Sequence, residues 1–333
     1  LILFDERGGQ MMDTQVVVSP APHITDVLTT EKAMRLVMIA LLPATLFSIW
    51  NFGFKALVLI IVSMITAIGT EFVIQKLTKK TITVNDGSAA LTGLLLALTV
   101  TPELPVLIIV VGAVVAIALG KHIFGGLGYN LFNPALIGRA FMLASWPAAM
   151  ITWSWPKNGL AWAGANADAI AGATVLNLEK AGILQKMGLK VPYLNLLIGN
   201  ISGSLGETST LLLLLGGLFL IITKVIDWRI PVSYLSSVLI LSLIFQKDPL
   251  LYLMAGGLML GAFFMATDWV TSPITKKGRI YFGIGCGIIT VIIRIFGGYP
   301  EGVCYSILIM NAVTPLLDRL TIPKRFGEVK ARG

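Results

Sequence analysis

Between residues 35 and 317 the chain is a succession of apolar runs with almost no charge inside them, separated by short polar connectors. Ten runs stand out, at about 35–50, 55–75, 87–100, 104–120, 132–150, 208–223, 230–246, 249–267, 280–296 and 302–317. Each reads as a membrane-spanning helix or part of one, because hydrocarbon tolerates only backbone whose hydrogen bonds close internally. Several fall short of the roughly 20 residues that a straight span needs. The run 87–100 is one of these and stops at Thr101-Pro102-Glu103-Leu104-Pro105. Short runs interrupted by Gly or Pro point to broken or half helices around a site near the bilayer midplane. One long polar stretch, 151–207, divides the runs five and five, and an odd number per half inverts the second half relative to the first. The expected fold is therefore all-α: a polytopic membrane protein of ten transmembrane helices in two inverted five-helix repeats. Phe132-Asn133-Pro134-Ala135-Leu136 and Met310-Asn311-Ala312-Val313-Thr314-Pro315 give weak internal similarity in the same sense.

Charge sets the orientation. With the N-terminus inside, all but seven of the 25 lysines and arginines fall on inner segments; the exceptions are Lys55, Lys157, Lys180, Lys186, Lys190, Lys247 and Arg294. That is the positive-inside bias, and it places both termini in the cytoplasm. The divisions that follow are a cytoplasmic segment 1–34, a first membrane repeat 35–150, an outer loop 151–207, a second repeat 208–318 and a cytoplasmic tail 319–333. The seven tryptophans (Trp50, Trp146, Trp153, Trp155, Trp162, Trp228 and Trp269) lie at run ends or in the long loop, as an interfacial belt would. Composition agrees: 56% of residues are hydrophobic and only 13% charged, about half the charge of a soluble domain. The net charge of +8 reflects the inner face and acidic membrane lipid, with no reason to invoke nucleic acid. No apolar leader core precedes residue 32, so the first span would act as its own insertion signal. Leu1 is not an initiator, and translation is expected to begin at Met11 or Met12.

Candidate chemistry sits at the run ends. Asp86 opens the third run ahead of Gly87-Ser88, either as a helix cap or as a half-helix end facing a ligand or ion. Gly120-Lys121-His122 with Gly125-Gly126 joins the fourth and fifth runs, and Asn133-Pro134 follow. Its glycines permit irregular backbone close to a ligand, and Lys121 and Arg139 are placed to hold negative charge. Thr267-Asp268 with Thr271-Ser272-Pro273 ends the eighth run; Asp268 is an ion-path candidate, as an acid inside a bundle is by default. Glu71 and Arg294, near the ends of their spans, read as interfacial rather than buried. Gly283-Ile284-Gly285-Cys286-Gly287 has GxG spacing inside an apolar run, which makes it a helix-packing face rather than a nucleotide loop. The two cysteines form no Cys-x-x-Cys, so this chain alone offers no iron–sulfur ligand set.

The long loop holds the most distinctive stretch, Asp168-Ala169-Ile170-Ala171-Gly172-Ala173-Thr174. Read by itself, Thr174 before Val175-Leu176 is a helix N-cap. The heptapeptide also resembles the sequence at which a flavin transferase esterifies FMN to threonine, an acid six residues before a hydroxyl flanked by small residues. It departs from that pattern at Ala171, where a hydroxyl is usual. Taken with Ser19-Pro20-Ala21-Pro22-His23, Asp86-Gly87, Leu91-Thr92-Gly93, Gly120-Lys121, Phe124-Gly125-Gly126, Phe132-Asn133-Pro134-Ala135 and Thr267-Asp268, the chain resembles the D-subunit family of the Rnf complex. It is more distantly similar to the B subunit of the sodium-pumping NADH:quinone reductase. The resemblance implies a fold distantly like urea transporters. It implies FMN held covalently at Thr174, with Asp168, Gly172 and Ala173 forming the transferase signature. It implies noncovalent riboflavin among the helices, where Lys121 and Asn133 are the residues put forward to touch a flavin. It further implies a place in a bacterial inner-membrane complex with iron–sulfur and second flavin subunits, moving electrons between ferredoxin and NAD coupled to Na+ or H+ transport. A competing reading is a small-solute channel on the same repeat, in which Thr174 is only structural.

Overall fold

The computed structural model describes residues 29–156, 173–207, 209–298 and 302–323. Asp168 and Gly172 of the loop signature, Trp162, and Met11 and Met12 lie outside these. Every regular element among the described residues is a helix. The first is α1 (Thr30–Phe52), capped by the Thr29 hydroxyl, which accepts from Lys32 N, and followed at Gly53 (φ 73°) by α2 (Phe54–Leu77). Next come α3 (Ser88–Leu98), α4 (Val106–Ile117) running on into a π-turn at Ala118–His122, and α5 (Pro134–Ser145). A one-turn helix α6 (Pro147–Met150) and three short outer-loop helices follow: α7 (Val175–Lys180), α8 (Ile183–Lys186) and α9 (Tyr193–Ile198). The second half contains α10 (Thr210–Ile222), α11 (Arg229–Ile244), α12 (Pro249–Met254), α13 (Leu258–Leu260) with a π-turn at Gly261–Met265, α14 (Lys276–Phe296) and α15 (Val303–Thr321). Every apolar run in the sequence is thus a helix or a broken one. Four helices, α1, α2, α14 and α15, are long and apolar enough to cross a membrane alone.

Small residues let the helices approach closely. A Cβ on Gly93 of α3 would stand 2.7 Å from Met64 Cα of α2, and the Ser63 hydroxyl donates to Gly93 O at 2.7 Å. On α14, Gly283 and Gly287 face the Ser233 and Ser237 hydroxyls of α11 with no room for a side chain. The GxG run is therefore the packing face its context suggested.

Broken helices leave backbone groups that must find partners inside the protein. Between α12 and α13 the chain turns through Gly256 and Gly257, both in the left-handed region at φ 70° and 66°. Arg294 of α14 closes this break. Its guanidinium donates to Tyr252 O, to Ala255 O at 2.8 Å and to Gly256 O at 3.4 Å, and lies over the Tyr252 ring. At 1% exposure Arg294 is buried, against the interfacial position its sequence suggested. The reason is that the helix break exposes main-chain carbonyls that its guanidinium satisfies. A second irregular stretch, residues 201–207, is buried throughout although its Ser-Gly composition reads as a loop. It satisfies the C-terminal end of α3: Gly206 N donates to Leu98 O at 2.7 Å and Leu205 N to Val100 O at 2.9 Å.

Candidate functional site

Two cavities lie at opposite ends of α5. Asn133 begins this helix: its side-chain oxygen accepts from Ala135 N and Leu136 N at 3.1 and 3.3 Å, and Pro134 occupies the first turn, where its missing N–H costs nothing. Asn133 also joins the two halves. Its backbone N–H donates to Asn311 Oδ1 of α15 at 3.2 Å, and its amide donates to Met265 O at 3.3 Å, at the end of the second π-turn. Asn311 in turn donates to Thr271 O.

The first cavity, about 760 Å3, opens beside Asn133. Its walls are mainly apolar and aromatic, including Leu91, Leu95, Leu127, Phe263, Phe264 and Trp269; Lys121, Ser88, Asn130, Asn133 and Asp268 add polar groups. Three residues singled out from sequence, Lys121, Asn133 and Asp268, are thereby brought together from segments far apart in the chain. Both π-turns border this space, an irregularity frequent at functional sites. Asn130 is the most telling member. It is buried, its amide nitrogen donates to Phe132 O at 3.2 Å, and that bond fixes the amide orientation. Its Oδ1 has no protein partner, and such an orphaned acceptor in a cavity wall calls for a donor on whatever fills the space.

Lys121 reaches this cavity from a buried polar cluster. Its Nζ donates to both Glu71 oxygens at 2.7 and 2.8 Å and to Ser88 Oγ at 2.6 Å. Gln75 Nε2 donates to Glu71 at 3.1 Å, and His122 Nε2 stands 3.5 Å from the same carboxylate. Lys121 and Glu71 are 2% and 1% exposed. Glu71 is therefore buried, not interfacial as its place near a span end suggested, because a lysine 50 positions further on supplies the countercharge. Asp86 does not line the cavity. It accepts from Ser88 N and Ser88 Oγ at 2.7 and 2.5 Å at the start of α3 and so stands one residue behind Lys121. Asp268 lines the wall and accepts from Thr271 Oγ1 at 3.1 Å.

Thr174 is elsewhere. It is 6% exposed and caps α7, its Oγ1 accepting from Asn177 N at 3.2 Å. Ala173 O accepts from Ser202 Oγ at 2.7 Å, which ties this part of the loop to the buried 201–207 stretch. Val175, Leu176 and Leu178 pack into the core. Asn177 borders the second cavity, about 620 Å3, with Arg139 and Leu143 of α5, Trp153, Ile293 and Tyr305. Arg139 reaches across to donate to Thr99 O at 2.7 Å. An oxygen that becomes a phosphoester keeps a lone pair, so esterification of Thr174 is compatible with its cap hydrogen bond.

Comparison with known proteins covers nearly the whole chain. Residues 17–327 match the NQR2, RnfD, RnfE family. The chain is 48% identical over 331 residues to the D subunit of the proton-translocating ferredoxin:NAD(+) oxidoreductase complex of Clostridium ljungdahlii, covering 96% of this chain and 98% of that one. It is 47% identical over 325 residues to the D subunit of the Na(+)-translocating ferredoxin:NAD(+) oxidoreductase complex of Acetobacterium woodii, covering 97% and 98%. It is also 39% identical over 317 residues to the D subunit of the ion-translocating oxidoreductase complex of Methanosarcina acetivorans, covering 95% and 99%.

Proposed function

The chain belongs to the NQR2, RnfD, RnfE family, and on that premise we propose that it is the flavin-bearing membrane subunit of an ion-translocating ferredoxin:NAD oxidoreductase complex. It carries FMN esterified to Thr174 and a noncovalent riboflavin in the cavity beside Asn133. The other subunits of such a complex, and the transferase that attaches FMN, are its partners. The observation that carries the flavin assignment is the orphaned Asn130 Oδ1 in a largely apolar cavity with a lysine at its edge. An isoalloxazine offers one imide N–H between two carbonyls on an otherwise flat aromatic body. Asn130 would accept from such an N–H, Phe263 and Phe264 would pack the rings, and Lys121, its donors held by Glu71 and Ser88, would set the polar edge of the site.

The second cavity, beside Asn177, accommodates the ring system tethered at Thr174. Arg139 and the Trp153 and Tyr305 rings border it. A phosphoester keeps the group at high local concentration whatever its oxidation level. When bound, flavin supplies the one-electron chemistry. The chain positions it, excludes water and fixes the charge around it.

The membrane arrangement in this reading has ten spans, α1 to α5 and α10 to α15, with α12 and α13 together making one broken span. They form two inverted halves with both termini cytoplasmic. The direct Asn133–Asn311 contact between the proposed repeat motifs supports it. Asp86, Asp268 and Lys121 are ion-path candidates, because charge beside broken helices is costly unless partnered or useful. The test is flavin content of purified complex. In-gel fluorescence under denaturing conditions and the mass of the Asp168–Lys180 peptide report the covalent group; organic extraction reports the noncovalent one. Thr174→Ala should remove only the first and Asn130→Leu only the second. A wild-type complex with full electron-transfer activity, an unmodified peptide and no extractable riboflavin would refute the assignment.

A further inference from the structure

A third hollow, about 1150 Å3, lies where α10 ends, α11 begins and the segment before α14 turns back. It adjoins the first cavity, with Val225, Ile226, Thr267 and Trp269 forming the wall between them, and the positive-inside argument puts it at the cytoplasmic interface. Two cations line it, Lys224 and Arg279, against one acid, Asp227; Arg229 stands behind, paired to Asp227. Asp227 is shared between two guanidiniums: Arg229 Nη1 donates at 2.9 Å and Arg279 Nη1 at 2.6 Å to the same oxygen. Arg229 N donates to the other oxygen at 2.9 Å, and Arg279 Nε is taken by Pro273 O. Burial pushes the Asp227 carboxyl up, but the Arg229 backbone bond and the Arg279 contacts outweigh it and hold it below the usual carboxylate range. The acid is thus ionised, and the lining keeps a surplus of one positive charge, with Arg229 adding a second from behind Asp227. The rim is what a membrane interface uses. Trp228 and Trp269 are exposed, Arg229 lies over the Trp228 ring at 5.2 Å, and Trp269 is anchored by donating to Val225 O at 2.6 Å. Ile274, 80% exposed, projects beside them.

We propose that this hollow binds the phosphodiester headgroup of an anionic phospholipid of the cytoplasmic leaflet. The Arg279 guanidinium, pre-oriented by Asp227, presents the planar N–H pattern that phosphate accepts, Lys224 adds charge just past the C-terminal end of α10, Arg229 adds charge from behind Asp227, and the tryptophans and Ile274 meet the glycerol and upper acyl chains. A soluble anion would gain nothing from that apolar rim.

The test uses the purified complex, delipidated in detergent and titrated with phosphatidylglycerol or phosphatidylcholine of identical chains, with retained lipid read by native mass spectrometry. Lys224 is exposed and makes no contact with Asp227, so Lys224→Gln leaves the ion cluster intact. It should weaken phosphatidylglycerol retention about fivefold, the factor expected of one cation near an anionic headgroup. Arg279→Gln should weaken it further, whereas Lys79→Gln, on the same face but remote from the hollow, should change nothing. Phosphatidylcholine should not be retained, and millimolar inorganic phosphate should not displace phosphatidylglycerol. Equal retention in the wild type and Lys224→Gln would overturn the proposal, as would displacement by phosphate. So would a photo-crosslinker at Ile274 that captures a protein subunit rather than lipid in the assembled complex.

Discussion

Replacing Lys121 by methionine keeps its length and removes its charge. Glu71, 1% exposed, would lose two charge-assisted hydrogen bonds of 2.7 and 2.8 Å and keep only the Gln75 amide and His122. Removing one partner of a buried pair costs about 3–5 kcal/mol, since the remaining charge is left in a medium that solvates it poorly. Solvent screening does not soften this figure, because neither side chain reaches water. At roughly 2 °C per kcal/mol for a chain of this size, the complex should lose at least about 6 °C in midpoint, measured by fluorescence-detected gel filtration after heating. Glu71→Gln alone should cost a similar amount. The double variant Glu71→Gln/Lys121→Met removes both charges together and should recover most of the loss, giving a coupling energy above about 2 kcal/mol. Single variants within about 1 kcal/mol of wild type, or a double variant no better than the sum of the singles, would show that the pair is wet and that its geometry does not carry the stability argued for it.

Other consequences are testable in the same preparation. Thr174→Ser should keep both the cap and an acceptor hydroxyl, whereas Thr174→Ala should lose the covalent flavin and about 1 kcal/mol of α7 stability; local hydrogen exchange at Val175–Asn177 would register the second effect. Gly287→Ala puts a methyl into the Ser237 hydroxyl and should cost about 1–3 kcal/mol, and Ser237→Ala in the same chain should return part of it. The Tyr193 phenol donates to Asp248, and this hydrogen bond, with burial and the nearby charge, pushes it up to about 12 from an ordinary 10. A group raised on folding stabilises fully below its unfolded value and loses that contribution as pH rises through the folded one. The stability difference between wild type and Tyr193→Phe should therefore hold to pH 10 and vanish towards pH 12, read by denaturation midpoints across that range. Asp268→Asn should lower ions moved per electron in reconstituted vesicles more than it lowers flavin content; unchanged stoichiometry would make Asp268 a structural partner of Thr271 only.

Local signals account for what the sequence makes legible. Thr29, Asn133 and Thr174 each stand immediately before an apolar stretch, and each caps a helix. The apolar runs became helices because no other backbone is self-sufficient where water is absent. Lys121, Asn133 and Asp268 could be proposed from their glycine- and proline-rich neighbourhoods, and they share one cavity. What stayed hidden depends on partners distant in the chain. Glu71 and Arg294 looked interfacial from their places near span ends; the lysine that pairs with Glu71 lies 50 positions on, and the carbonyls that Arg294 meets are exposed only when α12 breaks. Residues 201–207 carry the composition of a surface loop; their burial follows from α3 ending inside the protein. Asn130 gave no signal beyond being a polar residue after Gly128, since its unmet acceptor exists only once the cavity does.

The closure of α3 by residues 201–207 has a consequence for biogenesis. Eleven helical residues extend about 16 Å, half of the hydrocarbon thickness, so α3 cannot settle in lipid as an independent span. The donors to its final carbonyl, Leu98 O, and to Val100 O just beyond it are made more than a hundred residues later. At ordinary elongation rates of about 5–20 residues per second, the nascent first half waits on the order of 5–20 s with an unfinished helix end. Membrane insertion of this chain is therefore not a sequence of independent helix releases. The insertase or a neighbouring protein of the complex must shelter α3 until the middle of the polypeptide folds back, and ribosomes stalled before residue 207 should leave it accessible to aqueous thiol reagents.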